Sequence, residues 1–197
     1  LTNHKKFGED LAILAGDALF LDPFGLIATS ALPDAIKVSL ILELSDASGS
    51  RGMVAGQVLD MEGEHKQLTL AELKTIHANK TGRLLAYPFI AAGLILELQA
   101  DIAQLLEKIG KKLGLAFQVR DDILDLVADF EALGKTPQKD LVAEKSTYPA
   151  LLGLEESKAL LTSELDACED LLDQITSACD FDPQAIKKLI EGLRIDG

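Results

Sequence analysis

The segment FQVRDDILDLVAD, residues 117–129, decides the fold class of this chain. At about 100° per residue, its polar side chains fall within an arc of roughly 100° on a helix; they are Gln118, Asp121, Asp122, Asp125 and Asp129. The remaining positions are apolar except for Arg120. An apolar circumference is not typical of a surface helix. The segment therefore predicts a buried helix in an all-α protein, with an acidic face that lines a cavity.

Helical patterns extend outward from this segment in both directions. Residues 102–127 form one periodic run that includes Gly110 and Gly114, and two interior glycines favour close contact with a neighbouring helix. Residues 84–96 are apolar on all sides, which predicts a second buried helix, and Lys80-Thr81-Gly82 precedes it as an expected helix start. Aromatic residues make up 5% of the chain and Trp is absent, which disfavours sheets. No linker divides the chain, so we predict a single domain over residues 1–197.

Charge and cysteine content exclude several classes of partner. With 19 Lys and Arg against 32 Asp and Glu, the net charge of -13 repels nucleic acid. The longest apolar run, residues 84–96, falls short of the ~20 residues that span a bilayer, so no membrane-spanning segment is expected. Cys168 and Cys179 lie too far apart on one predicted helix to pair, which favours a reducing cytoplasm.

The acidic face predicts a metal site. Carboxylates at positions i and i+4, such as Asp121 and Asp125, repel each other unless a cation compensates. Mg²⁺ binds through one or two carboxylates together with water and phosphate oxygens, which suits this pair. The alternative interpretation is an acidic helix end in solvent. His65 and His77 lack the spacing of metal ligands and are expected on the surface.

Lysines near this face indicate an anionic ligand. Lys135, Lys139 and Lys145 follow the acidic segment, and a diphosphate would bridge such cations and a bound metal ion. Lys80 and Thr81 stand before the apolar run, where they would place polar groups at the mouth of an apolar pocket. Taken singly, Lys80 also fits a surface lysine and Thr81 a helix cap.

These features together resemble the trans-isoprenyl diphosphate synthases, in particular their bacterial farnesyl-forming branch. The matching stretches occur in family order over most of the chain: ILAGDAL (13–19), GMVAGQ (52–57), KTG (80–82), GLAFQVRDDILD (114–125), LGK (133–135) and KSTYPALLGLE (145–155). The resemblance implies an isoprenoid synthase-type helical bundle around a central apolar cavity, assembled as a homodimer. It also implies that the protein condenses dimethylallyl or geranyl diphosphate with isopentenyl diphosphate to give farnesyl diphosphate.

The same resemblance assigns roles to individual residues. Asp121 and Asp125 match metal ligands, and Asp122 and Asp140 match supporting acids. Lys80, Lys135 and Lys145 match residues that bind the allylic diphosphate. Thr81 and Gln118 match polar groups near the carbocation, so that the expected catalytic residues are Lys80, Thr81, Gln118 and Asp121. Three Mg²⁺ ions are expected per active site.

The resemblance also has a boundary. Leu1–Lys5 matches a segment just downstream of the family's first aspartate-rich motif, so we expect the N-terminal helices and that motif to be missing from this sequence. Product length is then unreadable, and a geranylgeranyl-length synthase remains an alternative. A noncatalytic synthase-like subunit is disfavoured because Asp121, Asp122 and Asp125 are intact. A terpene cyclase is disfavoured because the KT and KSTYP stretches are present.

Overall fold

The computed structural model describes the backbone of residues 1–133 and 146–195, and the side chains of residues 1–127 and 146–195. The described residues are helical and contain no strand, which confirms the all-α prediction. The chain divides into two compact units, Leu1–Leu42 and Glu43–Gly197, which are described separately. The assignment of residues 1–197 to a single domain stays a prediction.

The first unit consists of α1 (Asn3–Phe7), α2 (Glu9–Thr29) and the beginning of α3 (Asp34–Ser48). Helix α2 contains no buried residue. It exposes a series of large apolar side chains: Leu11, Ile13, Leu14, Leu19, Phe20, Leu21 and Leu26. These side chains lie on all sides of the helix, and exposed apolar surface of this extent marks a region that contacts something other than water.

Helix α2 is also long and apolar enough to cross a membrane, judged by length and composition alone. It has 21 residues and a mean hydropathy of 1.7 in its most apolar window. No unbroken apolar run marks this helix in the sequence, because Asp17 and Asp22 interrupt its apolar residues. A helix from the core of a protein meets the same two criteria, so the absence of a membrane-spanning segment stays a prediction.

The second unit contains the end of α3 and the remaining described helices. They are α4 (Met53–Gly63), α5 (Leu70–His77), a π-helical turn (Ala78–Gly82), α6 (Arg83–Ile95), α7 (Ala100–Leu133), α8 (Tyr148–Leu152), α9 (Leu154–Ala178) and α10 (Gln184–Leu193). Helix α5 begins with a capping box, in which Glu72 N donates to Thr69 Oγ1 at 3.3 Å and Thr69 N donates to Glu72 Oε2 at 2.8 Å.

Helix α7 is the central element of the second unit. Its buried apolar residues recur at spacings of three and four, and they are Ile102, Leu106, Ile109, Leu113, Ala116, Val119 and Ile123. Helix α9 presents a matching row formed by Leu161, Leu165, Cys168, Leu172 and Ile175. Two such rows pack side by side as paired helices do in bundles. Burial raises the pKa of the Cys168 thiol to about 12, and both cysteines are free, as predicted.

The glycines of α7 permit close contact with the preceding helical segment. A Cβ atom at Gly114 would lie 2.7 Å from Gly82 Cα, and one at Gly110 would lie 2.8 Å from Ala86 Cα. Real Cβ atoms do not approach backbone this closely, so a side chain at either position would force the helices apart. The prediction that both glycines serve close helix packing is confirmed.

Helix α6 is only partly buried, contrary to expectation. It buries Ala86, Ala91 and Gly93, while Leu85 and Ile95 are exposed. Within the described part of the chain, α6 packs mainly against α7, which covers one of its sides. The prediction of burial on all sides is therefore wrong for these residues.

Candidate functional site

Lys80 and Thr81 lie in a π-helical turn in the middle of a longer helix. Helix α5, the turn Ala78–Gly82 and α6 follow one another without a break. The expected helix start at Lys80-Thr81-Gly82 is therefore wrong, because the helical backbone continues through it. A π turn inserts one extra residue into a helix, and such turns are frequent at functional sites. The sequence carries no local signal for this turn.

Helix α4 packs directly against this turn at Gly56. A Cβ atom at Gly56 would overlap the backbone nitrogen and Cα of Lys80. The turn therefore lies between two glycines, since Gly114 of α7 contacts Gly82 from another helix. These two contacts place the backbone of Lys80 and Thr81 against α4 and α7.

We predict that Gly56→Ala destabilises the protein by about 1–3 kcal/mol, because the added methyl group must displace the backbone at Lys80. Thermal or denaturant unfolding measures this change. Gly192→Ala is the matched control, since nothing lies within 4 Å of a Cβ there, and alanine favours its helix. Equal stability of the Gly56→Ala variant and the parent would contradict the close packing at Lys80.

A hydrogen bond joins the π turn to the polar face of α7. Thr81 Oγ1 donates to Gln118 Oε1 at 3.0 Å, and the Gln118 side chain is buried. The structure thus brings together two predicted site residues that are distant in the sequence. The Thr81 hydroxyl uses its proton in this bond, which leaves its oxygen lone pairs available.

The ammonium group of Lys80 has a partner within the protein. Lys80 Nζ lies 2.5 Å from Asp60 Oδ2 of α4, and both side chains are 28% exposed. Asp60 is thus the partner of Lys80 in this structure, and the binding of an allylic diphosphate by Lys80 stays a prediction. A half-buried ammonium needs a counter-charge, and Asp60 supplies it from the helix that also contributes Gly56.

The acidic face has three aspartates with described side chains, and they separate into two environments. Asp121 and Asp125 are exposed, so the described residues do not enclose them in the expected cavity. Asp122 is partly buried, and its Oδ2 accepts a hydrogen bond from the backbone N of Tyr148 at 2.9 Å. The described residues contain no cluster of three or more His, Cys, Asp or Glu that could hold a metal ion. Two exposed carboxylates nevertheless fit Mg²⁺, which takes its other ligands from water and phosphate.

His77 is buried, so its predicted surface position is wrong. Its ring contacts the Tyr148 ring at a centroid distance of 5.4 Å, and Tyr148 is fully buried. Burial raises the pKa of the Tyr148 hydroxyl, and the carboxylates of Asp122 and Glu164 raise it further. The tyrosine therefore remains neutral at physiological pH. His65 is exposed, as predicted.

A cavity of about 430 Å³ lies beside the π turn. Gly82, Arg83, Glu43, Glu107 and Lys111 are among the residues that line it. None of the predicted site residues that the structure describes lines this cavity. Among the groups that line it, Glu107 pairs with Lys111 at 2.5 Å, and Arg83 Nε donates to Asn79 Oδ1 at 3.1 Å. This cavity is not the expected central apolar cavity, which stays a prediction.

Three predicted site residues lie outside the described residues. They are Lys135, Asp140 and Lys145. Their expected roles, as phosphate ligands and a supporting acid, stay predictions. The side chain of Asp129 also lies outside the described residues.

The described helices and side chains define a class of protein. It is an all-helical protein in which a lysine on a π turn and an aspartate pair on a central helix flank a Thr–Gln hydrogen bond. Comparison with known proteins agrees with this class. The family model described as polyprenyl synthetase matches residues 1–181. The chain belongs to the polyprenyl synthetase family.

Individual relatives are similar over most of this chain. Farnesyl diphosphate synthase from Micrococcus luteus is 54% identical over 172 residues, which cover 87% of this chain and 59% of that protein. The Geobacillus stearothermophilus farnesyl diphosphate synthase is 46% identical, and the match covers 85% of this chain and 58% of that protein. A solved structure is also similar: that of a Helicobacter pylori geranyltransferase complexed with magnesium and isoprenyl diphosphate. It superposes with a TM-score of 0.81 at 33% identity, and the match covers 98% of this chain and 63% of that one. The chain thus spans about three-fifths of the length of these relatives.

Proposed function

We propose that the complete protein is a Mg²⁺-dependent prenyltransferase that condenses dimethylallyl or geranyl diphosphate with isopentenyl diphosphate, giving farnesyl diphosphate and diphosphate. The observation that carries this proposal is the Thr81–Gln118 hydrogen bond, because it joins the π turn bearing Lys80 to the helix bearing Asp121. Similarity to farnesyl diphosphate synthases at 54% and 46% identity supports it.

The family resemblance gives each residue of this group a role that suits its chemistry. The Lys80 ammonium binds a phosphate of the allylic substrate. On binding, it either breaks its ion pair with Asp60 or contacts Asp60 and the phosphate together. Thr81 and Gln118 direct oxygen atoms toward the carbon that becomes positive when its bond to the diphosphate breaks. Lys135 and Lys145 add further cations for the diphosphate.

Asp121 and Asp125 would hold Mg²⁺, and the family's three-ion arrangement is part of the proposal. Mg²⁺ held by these residues would supply positive charge to offset that of the departing diphosphate. Both carboxylates are exposed and lie one turn apart, so they reach a common ligand outside the helix. Asp122 and Asp140 support the site without belonging to this pair.

Product analysis tests the proposed reaction. The complete protein is incubated with labelled isopentenyl diphosphate, geranyl diphosphate and Mg²⁺, and the products are hydrolysed and separated by chain length. We expect a 15-carbon product that is not formed in excess EDTA. A 20-carbon product would indicate the geranylgeranyl-length alternative, and no product under any condition would favour a noncatalytic subunit.

We further propose that the protein is a cytoplasmic homodimer that neither spans a membrane nor binds nucleic acid. The exposed apolar surface of α2 supports association with protein, and the match of the family model to residues 1–181 includes this helix. The free thiols and the net charge of -13 are consistent with the cytoplasm and with the exclusion of nucleic acid. Sedimentation of the complete protein, with and without lipid vesicles, measures both its mass and its membrane association.

A further inference from the structure

Asp122 differs from its neighbours on the acidic face in what it contacts. Its Oδ2 accepts the backbone N–H of Tyr148, the first residue of α8, at 2.9 Å. Asp121 and Asp125 are exposed, whereas Asp122 is partly buried. On the helix, Asp121 and Asp122 are about 100° apart, so they face different directions. One carboxylate is therefore directed at the protein and the other two at solvent.

Three further contacts hold the same stretch of chain. Ser146 Oγ accepts the backbone N–H of Leu68 at 3.1 Å and donates to the Lys66 carbonyl at 3.3 Å. The Tyr148 ring contacts the ring of His77, three residues before Lys80. Residues 146–148 are thus attached to α7, to the segment before α5 and to the end of α5.

We propose that Asp122 is a positioning residue that anchors residues 146–148 to α7, and that it is not a metal ligand. Its carboxylate supplies an acceptor for a backbone N–H at the start of α8, which has no partner within its own helix. Through this bond it links the helix of Asp121 to the stretch that contacts His77. Lys145, a proposed phosphate ligand, immediately precedes this stretch in the sequence. The functional part of this inference rests on the proposed prenyltransferase activity.

The two roles predict opposite effects of an amide at this position. Asparagine keeps an oxygen acceptor for the Tyr148 N–H but loses the negative charge that a metal ligand needs. Alanine removes the acceptor and leaves a buried N–H without a partner. A positioning residue therefore tolerates asparagine and not alanine, and a metal ligand tolerates neither.

The experiment compares Asp122→Asn, Asp122→Ala and the matched control Asp121→Asn in the complete protein. Amide hydrogen exchange of the peptide that contains Tyr148 is measured first. We expect exchange at least about tenfold faster in Asp122→Ala, and close to the parent in the other two variants. We expect KM for the allylic diphosphate to rise about tenfold in Asp122→Ala and to stay within about threefold in Asp122→Asn.

Two results would overturn the inference. If amide exchange at Tyr148 is unchanged in Asp122→Ala, Asp122 does not anchor residues 146–148. A loss of turnover in Asp122→Asn as large as in Asp121→Asn, reduced by raising the Mg²⁺ concentration, would make Asp122 a metal ligand. Failure of the proposed function is distinct from both, because the parent protein would then be inactive while the exchange measurement still tests the anchor.

Discussion

Asp121→Asn lowers the turnover of the complete protein by at least about a hundredfold, with little change in its stability. The substitution keeps the size of the side chain but removes the charge that would bind Mg²⁺ beside the leaving diphosphate. Asp121 is exposed, so the fold does not depend on it. Steady-state assays with geranyl and isopentenyl diphosphates measure the turnover, and thermal unfolding measures the stability.

The control for this variant is Asp129→Asn, which changes the charge of the chain equally but lies outside the matched motif. We expect its turnover to remain much closer to that of the parent. If Asp121→Asn keeps near-normal turnover, Asp121 has no part in the mechanism.

Lys80→Ala weakens binding of the allylic diphosphate about tenfold or more, and binding of isopentenyl diphosphate much less. The lysine lies on the π turn beside Thr81, and its removal also leaves Asp60 without its cation. Direct binding of a nonhydrolysable allylic analogue in Mg²⁺, compared with isopentenyl diphosphate, measures the difference.

Asp60→Asn is the matched control for Lys80→Ala, because it breaks the same ion pair from the other side. It keeps the lysine, so we expect allylic binding to be retained or strengthened. Equal losses for both diphosphates in Lys80→Ala would show that the lysine does not belong to the allylic side.

Local patterns in the sequence predict the helices and part of the site. The arc of Gln118, Asp121 and Asp125 is a property of helical spacing, and it is readable from one segment. The close packing at Gly114 is predictable for a similar reason, since an interior glycine is unfavourable unless a neighbour needs the space.

Features that depend on contacts between distant residues are not predictable in this way. The ion pair of Lys80 with Asp60 and the burial of His77 against Tyr148 arise from helix packing, for which these residues carry no local signal. The π turn has the same origin, because glycines of α4 and α7 meet it from two other helices. The sequence groups Asp122 with its acidic neighbours, whereas the contact with Tyr148 distinguishes it from them in the structure.

The most direct test of the central claim, that Lys80 and the Asp121–Asp125 pair bind one allylic diphosphate, is calorimetric titration of the complete protein with a nonhydrolysable geranyl diphosphate analogue at several Mg²⁺ concentrations. We predict binding that strengthens with Mg²⁺ in the parent and in Lys80→Ala, with lower affinity in the latter, and binding that responds to Mg²⁺ much less in Asp121→Asn. An affinity that is independent of Mg²⁺ in the parent, or equally dependent on it in Asp121→Asn, would contradict the account.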